Sequence, residues 1–452
     1  MKAIFEKHAG GTVLFLGRVT HFSPEELENF LLDQGMCYAD TYTGQEITLL
    51  VLSTLMTPHE EQISYDLYDA GVPDVSLAIF EQYYTAHIKP QTLLMSLKLS
   101  NDQLRLRRFL GNEAFADTLF LKLFSMVDWE GEGILENDAN RDVTISFVKR
   151  FFQPDGFRDP AMIYAPTTVM IIAKDSADPE VLEAILTMPN HEVKISRYEQ
   201  KKPKSLREMV AFNPHIGRQS IRKLLSYRQK DCDYFLSSNP ALSEAELTQL
   251  YARADVETKQ MMTHNEALPD SLFDLLIDSS EEVQKSLLRY QPMTKTRIEK
   301  CMSHPYIHYL GANPTIAPFV SMLLALDQSD LDHALASNPA VNGENLEKLY
   351  RRGERVWTDL ASNPNLSTSM AERLFALGRS DIIEVLCRNS ATPRKLLDQL
   401  CEREDPTLNR ALASNPSVDI YWLRQFQLDT SLLRILAGNP TYGEHILRGL
   451  GI

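Results

Sequence analysis

The clearest pattern in the chain is an apolar side chain at a fixed distance from a recurring Asn-Pro pair. The asparagines of these pairs are Asn213, Asn239, Asn313, Asn338, Asn363, Asn415 and Asn439. Related pairs beginning at Asn265, Gln291 and Asn389 fill the gaps, so that successive pairs are 22 to 26 residues apart. A period this steady indicates a stack of structural repeats.

Each Asn-Pro pair predicts a corner between two helical segments, because proline lacks an N–H and disfavours helix in the residue before it. The apolar residues three positions before the corners are Val210, Leu236, Met262, Leu288, Leu310, Leu335, Leu360, Leu386, Leu412 and Leu436. Those eleven positions after are Leu224, Leu250, Leu276, Met302, Leu324, Leu349, Leu374, Leu400, Phe426 and Leu450. The pattern predicts a short helical turn, a corner and a helix of about three turns in each unit.

Capping signals accompany these helices. Ser243 and Glu246 fit a capping box at the start of one helix. Thr392 fits a cap, with Pro393 after it at the first helical position. The same spacing of apolar residues continues upstream, around corners at Asn112, Asn137, Ala165 and Met188 that lack the Asn-Pro pair. Residues 103–452 therefore contain about thirteen units of about 25 residues.

Residues 1–100 lack the repeat and instead alternate strand and helix patterns. The predicted strands are Gly11–Gly17, Ile47–Ser53 and Gly71–Ser76, and the predicted helices are Ser23–Gly35, Glu60–Asp69 and Leu77–Tyr84. This alternation predicts a small, largely parallel sheet with helices on its faces. We therefore divide the chain into an α/β domain over residues 1–100 and a mainly α region over residues 101–452.

The first domain resembles a BRCT domain, through Gly17 after the first strand, Gly35 after the first helix, Gly71 before the third strand and Phe80 in the last helix. Phosphopeptide-binding members of that family place Ser or Thr before the first of these glycines, where this chain has Leu16, and supply a lysine that His59–Asp69 lacks. The resemblance implies a small packing or docking module.

The second region resembles the leucine-rich repeat variant family, whose units begin Leu-Ala-x-Asn-Pro. Near-ideal copies are Leu335–Pro339, Leu360–Pro364 and Leu412–Pro416. The resemblance implies a right-handed α-solenoid, similar to HEAT-like arrays. One type of member carries a cysteine-ligated iron–sulfur cluster ahead of its repeats. Only Cys37 lies in that part of this chain, so no cofactor is implied.

Composition is that of a folded protein, with 44% hydrophobic and 24% charged residues among 452. The N-terminus lacks the apolar core of a secretory signal and no stretch is long enough to span a membrane, so we expect a cytoplasmic protein. Five scattered cysteines argue against a disulfide framework.

The charge is distributed unevenly along the chain. Net charge is −8 for residues 1–100, −7 for 101–193, +9 for 194–230 and −9 for 231–452. The cations of the basic segment are Lys194, Arg197, Lys201, Lys202, Lys204, Arg207, Arg218, Arg222, Lys223, Arg228 and Lys230. Such a patch could hold nucleic-acid phosphates, an acidic protein or the acidic N-terminal domain.

No motif for nucleophilic, phosphate or metal-dependent catalysis is present. Cys301, His304 and His308 have a spacing that could ligate zinc, but Pro305 interrupts it and no fourth ligand is suggested. The acidic run from Asp128 to Asp138 lacks the ligand spacing of a calcium loop. We therefore expect no metal and no enzymatic activity.

Stacked repeats and the absence of catalytic motifs together predict a non-catalytic scaffold for a protein partner. The alternative is nucleic-acid binding, associated with DNA repair, through the basic segment of residues 194–230. The two differ in whether binding to nucleic acid falls steeply with salt.

Overall fold

The computed structural model describes residues 2–131, 133–152, 162, 165–193 and 204–449. The protein is mainly helical and carries a small parallel sheet near its N-terminus. Its internal contacts divide it into two compact units, Met1–Ala241 and Leu242–Ile452. The boundary predicted between residues 100 and 101 stays a prediction. Among the described helices, none combines the length and the apolar character needed to cross a bilayer.

The sheet consists of four short strands near the start of the first unit. They are β1 (Thr12–Leu16), β2 (Cys37–Ala39), β3 (Leu49–Leu52) and β4 (Asp74–Ser76). Their order is β2-β1-β3-β4, and every neighbouring pair is parallel. The central strands β1 and β3 are apolar because both of their faces are covered, as is usual in a parallel sheet. The largely parallel sheet is as predicted, whereas β2 was not predicted.

Five helices accompany this sheet. They are α1 (Lys2–Lys7), α2 (Pro24–Asp33), α3 (Pro58–Asp69), α4 (Leu77–His87) and α5 (Pro90–Ser100). Ser23 caps α2 as the sequence predicts. Helix α3 begins before the predicted Glu60, because Thr57 and Glu60 form a capping box with Pro58 at the first helical position.

The rest of the first unit is helical apart from one two-stranded ribbon. Its elements are α6 (Gln103–Leu110), α7 (Asp117–Phe124), α8 (Asp138–Phe151), α9 (Pro166–Asp175), α10 (Pro179–Ile185), β5 (Glu192–Val193), β6 (Lys204–Ser205), α11 (Leu206–Phe212), α12 (Arg218–Tyr227) and α13 (Lys230–Ser237). Strands β5 and β6 pair antiparallel. Aromatic rings fill the core between α6 and α8, where Phe124 and Phe147 have ring centroids 4.8 Å apart.

The second unit contains only helices among its described residues. They are α14 (Glu244–Tyr251), α15 (Val256–Met262), α16 (Asp270–Ile277), α17 (Glu281–Tyr290), α18 (Lys295–Cys301), α19 (Val320–Leu324), α20 (Ser329–Ser337), α21 (Gly343–Tyr350), α22 (Trp357–Ser362), α23 (Thr368–Ala376), α24 (Ser380–Arg388), α25 (Arg394–Cys401), α26 (Pro406–Ser414), α27 (Ile420–Phe426), α28 (Leu433–Ala437) and α29 (Pro440–Gly449). Short 3₁₀ helices lie at Ile307–Ala312, Pro314–Phe319, Glu354–Val356 and Thr430–Leu432.

The predicted shape of a unit was partly wrong. The segment before a corner is a helix rather than a single turn, as α24 with 9 residues shows. The helix after the corner, such as α25 with 8 residues, has about two turns instead of three. The predicted cap at Thr392 is also wrong, because α25 begins after Pro393 and the Thr392 hydroxyl donates to the carbonyl of Leu386. The capping box of Ser243 and Glu246 is present.

The described core positions agree with the sequence pattern except in one unit, and Leu450 lies outside the described residues. All ten residues that precede a corner by three positions have no measurable exposure. Of those eleven positions after a corner, Met302 was wrongly predicted, since it is half-buried and its neighbour Cys301 fills the core. Gln291 begins the shortest spacing, of 22 residues, so the register slips there.

The corner asparagines have a role that the sequence pattern did not reveal. The side-chain nitrogen of Asn363 donates to the main-chain carbonyls of Ala336 and Asn338, and its oxygen accepts the N–H of Asn365, at 2.8 to 3.0 Å. The same donor pattern recurs at Asn239 in the first unit. In the second unit it recurs at Gln291, Asn313, Asn338, Asn389, Asn415 and Asn439. We call this series the amide ladder.

One acceptor in each rung is the carbonyl of the preceding corner residue. Asn338 therefore donates to Asn313, and Asn363 donates to Asn338. Every one of these carboxamides is buried, so each bond satisfies a main-chain carbonyl that has no access to water. Within each of the two compact units, the ladder thus ties each of these corners to the one before it.

Candidate interaction surface

The basic segment is described only in part. Lys194, Arg197, Lys201 and Lys202 lie outside the described residues. The other seven cations lie in the first unit, on or beside β6, α11, α12 and α13. They divide into cations that pack against this unit and cations that face solvent.

Lys204 and Arg207 pack on aromatic rings. The Lys204 ammonium lies 3.9 Å from the centre of the Phe235 ring, and the Arg207 guanidinium lies 3.9 Å from the centre of the Tyr227 ring. Arg207 also donates to the side-chain oxygen of Gln229 at 3.2 Å. The first cation–π contact joins β6 to α13, and the second joins α11 to α12. The two cations therefore help to hold this part of the first unit together.

A buried acidic group lies beside these cations. Ser205 caps α11, and its hydroxyl donates to Glu208 at 3.0 Å while accepting the Glu208 N–H. Burial raises the pKa of Glu208 above its usual value, although the bonds from Ser205 oppose the rise. Burial, followed by the charge of Glu208, raises the pKa of the Cys232 thiol to about 12. A thiol with that pKa is a weak nucleophile near neutral pH.

Lys223 occupies an intermediate environment on α12. Burial lowers its pKa, and the neighbouring Glu183 of α10 opposes that shift. The pKa of Tyr227, at the end of the same helix, is raised by burial. These two groups are half-buried and form part of the packing between helices.

The exposed cations are the remaining four, Arg218, Arg222, Arg228 and Lys230. Arg218 and Arg222 lie one turn apart on α12, so both point to the same face. Arg228 ends α12 in a left-handed backbone conformation. Of the seven described cations in the basic segment, four are therefore exposed to solvent. We call Arg218, Arg222, Arg228 and Lys230 the cationic rim.

The other candidate residues, Cys301 and the acidic run from Asp128 to Asp138, take part in core packing and in local bonds. Cys301 is fully buried, and burial raises its pKa to about 11. Over the residues that the structure describes, no three His, Cys, Asp or Glu side chains come together as metal ligands. In the acidic run, Glu130 pairs with Arg107 at 3.0 Å, and Glu136 accepts the N–H of Gly133.

The end of β1 carries an anion of its own. The N–H of Gly17 donates to Oε1 of Glu60 at 3.0 Å. Bonds from Thr57 and from Gly17 lower the pKa of Glu60, so it is a carboxylate at neutral pH. The amide that would face a phosphate at this position is therefore already bonded to a negatively charged group.

Sequence reasoning missed Glu208, Glu183 and the exposed Tyr65 and Tyr68 of α3. Glu208 follows Ser205 in a Ser-x-x-Glu pattern, which is a signal for a helix start that the sequence does contain. The tyrosines could have been found because Tyr65 and Tyr68 fall on the polar side of α3, away from Ile63 and Leu67. The pairing of Glu183 with Lys223 has no local sequence signal.

The chain was compared with family models, curated proteins and solved structures, and none of them matches it.

Proposed function

We propose that the protein is a non-catalytic scaffold that binds a protein partner through the exposed faces of its helical units. In this proposal residues 101–452 form a right-handed α-solenoid of about thirteen units, of the leucine-rich repeat variant type. Residues 1–100 form a BRCT-like docking module. The amide ladder is the observation that carries the proposal.

The ladder supports a scaffold because it assigns the recurring residues to structure. Each corner carboxamide is buried and bonded to main-chain groups, so the residues that repeat are those that hold neighbouring units together. Residues at equivalent outer positions of different repeats are exposed and differ in charge. Arg218 and Arg222 occupy two such positions on α12, and Asp270 and Asp274 occupy the same two positions on α16. A constant interior with a variable exterior is typical of repeat proteins that bind other macromolecules.

The cationic rim is the surface that we assign to an acidic protein partner. Among the seven described cations of the basic segment, Lys204 and Arg207 stack on rings of their own unit and Lys223 is half-buried, which leaves four in the rim. Affinity for nucleic acid depends on the number of phosphates that cations neutralise. Over the described residues, a rim of four cations supports an acidic protein rather than DNA or RNA as the partner.

Affinity purification from the native cell tests the proposal. We expect the wild-type chain to retain a protein that the double variant Arg222→Glu/Arg228→Glu loses. The matched control is Arg351→Glu, which reverses an exposed arginine elsewhere. In parallel, filter binding to single- and double-stranded DNA and RNA is measured across salt concentrations. Tight, salt-dependent nucleic-acid binding by a chain that retains no protein would overturn the scaffold.

A further inference from the structure

Helix α3 of the N-terminal part exposes two tyrosines that no described residue of its own unit covers. Tyr65 and Tyr68 are 66% and 64% exposed, although tyrosine is usually at least half-buried in folded proteins. Tyr68 follows Tyr65 by three positions, so both rings project from one side of the helix. The opposite side packs Leu67 and Ile63 against the sheet core.

The surroundings of these rings are negatively charged. Glu61 precedes Tyr65 by one turn, Asp69 follows it by one turn, and both are exposed. Asp66 projects from another side of the helix, where it accepts a bond from Gln62 at 2.8 Å. Helix α3 contains no Lys or Arg, and residues 1–100 carry a net charge of −8. The face thus combines two uncovered π systems with uncompensated carboxylates.

Other tyrosines of this protein show what such a ring binds. Arg207 lies 3.9 Å from the centre of the Tyr227 ring in the first unit. In the second unit, Lys259 and Arg373 lie 4.4 Å from the ring centres of Tyr251 and Tyr350. Within the described residues, no cation lies over Tyr65 or Tyr68. A guanidinium or ammonium group is the contact that these three rings share and that Tyr65 and Tyr68 lack in the described part of the chain, and the carboxylates around α3 favour such a group.

We propose that the outer face of α3 docks an arginine-rich segment of a partner protein. Guanidinium groups stack on Tyr65 and Tyr68 while neighbouring cations pair with Glu61 and Asp69. Arginine fits better than lysine because its planar group stacks on rings and forms two parallel bonds to a carboxylate. The inference rests on the proposed scaffold function and names the chemistry of one partner. It concerns a surface distinct from the cationic rim.

Fluorescence anisotropy with labelled nona-arginine, added to the full-length chain, tests this assignment. We expect the double variant Tyr65→Ala/Tyr68→Ala to bind the probe about tenfold more weakly than wild type, from the loss of two exposed cation–π contacts. Tyr65→Phe/Tyr68→Phe retains the rings and should bind like wild type. Nona-lysine should bind wild type more weakly than nona-arginine does.

Two controls separate the site from general attraction to an acidic protein. Tyr421→Ala removes a tyrosine of similar exposure, 60%, from α27 and should leave probe binding unchanged. Asp330→Asn/Glu372→Gln removes two exposed carboxylates far along the sequence and should weaken binding less than Glu61→Gln/Asp69→Asn does. Equal probe affinity of the alanine double variant and wild type would overturn the proposal.

The other occupants of this face give different results. If a second copy of the chain occupies it, sedimentation will show a dimer that Tyr65→Ala/Tyr68→Ala converts to a monomer. If the chain's own basic segment occupies it, Lys201→Glu/Lys202→Glu will strengthen probe binding only while the tyrosines are present. Either result would overturn the proposal that a separate partner protein occupies this face.

The same variants distinguish this proposal from the scaffold function. When wild type and the tyrosine double variant retain the same proteins from the native cell, the α3 site fails and the scaffold stands. When wild type retains no protein, the scaffold itself fails, whatever the probe shows.

Discussion

Two stretches of this chain join neighbouring helices in different ways. From Asn213 to Asn439, buried carboxamides bond to main-chain carbonyls. From α6 to Met188, the corners at Ala165 and Met188 have no carboxamide, and the buried side-chain nitrogen of Asn112 has no hydrogen-bond partner among the described residues. The buried carboxamide of Asn140 does bond to main-chain carbonyls, but those of Glu130 and Gly133 lie only seven to ten residues before it, so it does not join one corner to the next. There the core is aromatic, with rings contributed by Phe109, Phe115, Phe120, Phe124, Phe147 and Phe151.

The difference accounts for the residue found at each corner. A carboxamide that must reach two carbonyls and one N–H requires Asn or Gln at that position. Aromatic side chains that pack the core place no such demand on the corner residue. Corner spacings are 22 to 26 residues from Asn213 to Asn439 and 23 to 28 residues from Asn112 to Asn213, so the two stretches differ more in corner residue than in spacing.

The largest effect should come from a charge placed in the amide ladder. Asn363→Asp keeps the side-chain shape but sets a carboxylate against the carbonyls of Ala336 and Asn338. We expect a loss of about 3–5 kcal/mol in the free energy of unfolding at neutral pH, as for an unpaired buried charge. Burial would raise the pKa of the new carboxyl in the folded state, so stability should recover as the pH falls. Denaturant titrations at neutral and acidic pH measure both effects.

The neighbouring Asn365 provides the control for that variant. Asn365 is exposed, so Asn365→Asp changes the same charge without burying it. Its effect should be a small fraction of that at Asn363. Similar losses at the two positions would contradict the ladder as the source of stability.

The next largest effect concerns the leucines beside the ladder. Leu236 and Leu250 have no measurable exposure, so Leu236→Ala and Leu250→Ala should each cost about 2–5 kcal/mol. The losses should be of similar size because both side chains are fully buried, Leu236 before the Asn239 corner and Leu250 after it. Thermal and denaturant unfolding measure them, and half-buried Met302→Ala should cost clearly less. Neutral leucine variants would show that the proposed register is wrong.

A direct comparison of the two stretches comes from truncating one asparagine in each. Asn363→Ala removes three hydrogen bonds and leaves buried carbonyls unsatisfied. Asn112→Ala removes one bond, to the N–H of Ala114 at 2.8 Å. We expect the loss of unfolding free energy to be about 1–3 kcal/mol greater at Asn363. Chemical denaturation of both variants tests this, and equal losses would remove the distinction between the stretches.

The sequence was sufficient to place the corners and most of the core. Proline determines where a helix stops through its missing N–H, and the leucines flanking each corner have a helical period. The sequence did not reveal the ladder, because an asparagine that precedes proline is already explained by turn chemistry. The equivalence of Gln291 and Asn265 to the Asn-Pro corners was predicted from spacing, and at Gln291 the structure adds the bonds.

The interaction surface was less predictable than the fold. A count of charges cannot distinguish Lys204 and Arg207, which lie on aromatic rings, from the exposed Arg222 and Arg228. That distinction depends on Phe235 and Tyr227, which approach through tertiary packing. Local sequence also gives no reason to expect a bond between Gly17 and Glu60, because 43 residues separate them.

The smallest predicted effect is a gain in stability at Glu208. Its pKa is raised in the folded state by burial, so folding disfavours the charged form, and the charge lowers stability above the usual glutamate pKa. Glu208→Gln stays neutral and can still accept the bond from Ser205. We expect a gain of at most about 1 kcal/mol at neutral pH, which disappears as the pH falls below about 4.

The matched variant is Glu246→Gln, at the same position of the capping box in α14. Glu246 is less buried than Glu208, and its carboxylate accepts the N–H of Ser243 at 2.8 Å. A carboxylate near a helix start is favourable when water can reach it, so this variant should lose a few tenths of a kcal/mol. Thermal midpoints at neutral and acidic pH compare the two. The two variants should change stability in opposite directions because the two capping carboxylates differ in burial. A loss of stability in Glu208→Gln would show that the bonds from Ser205 outweigh the cost of burying the charge.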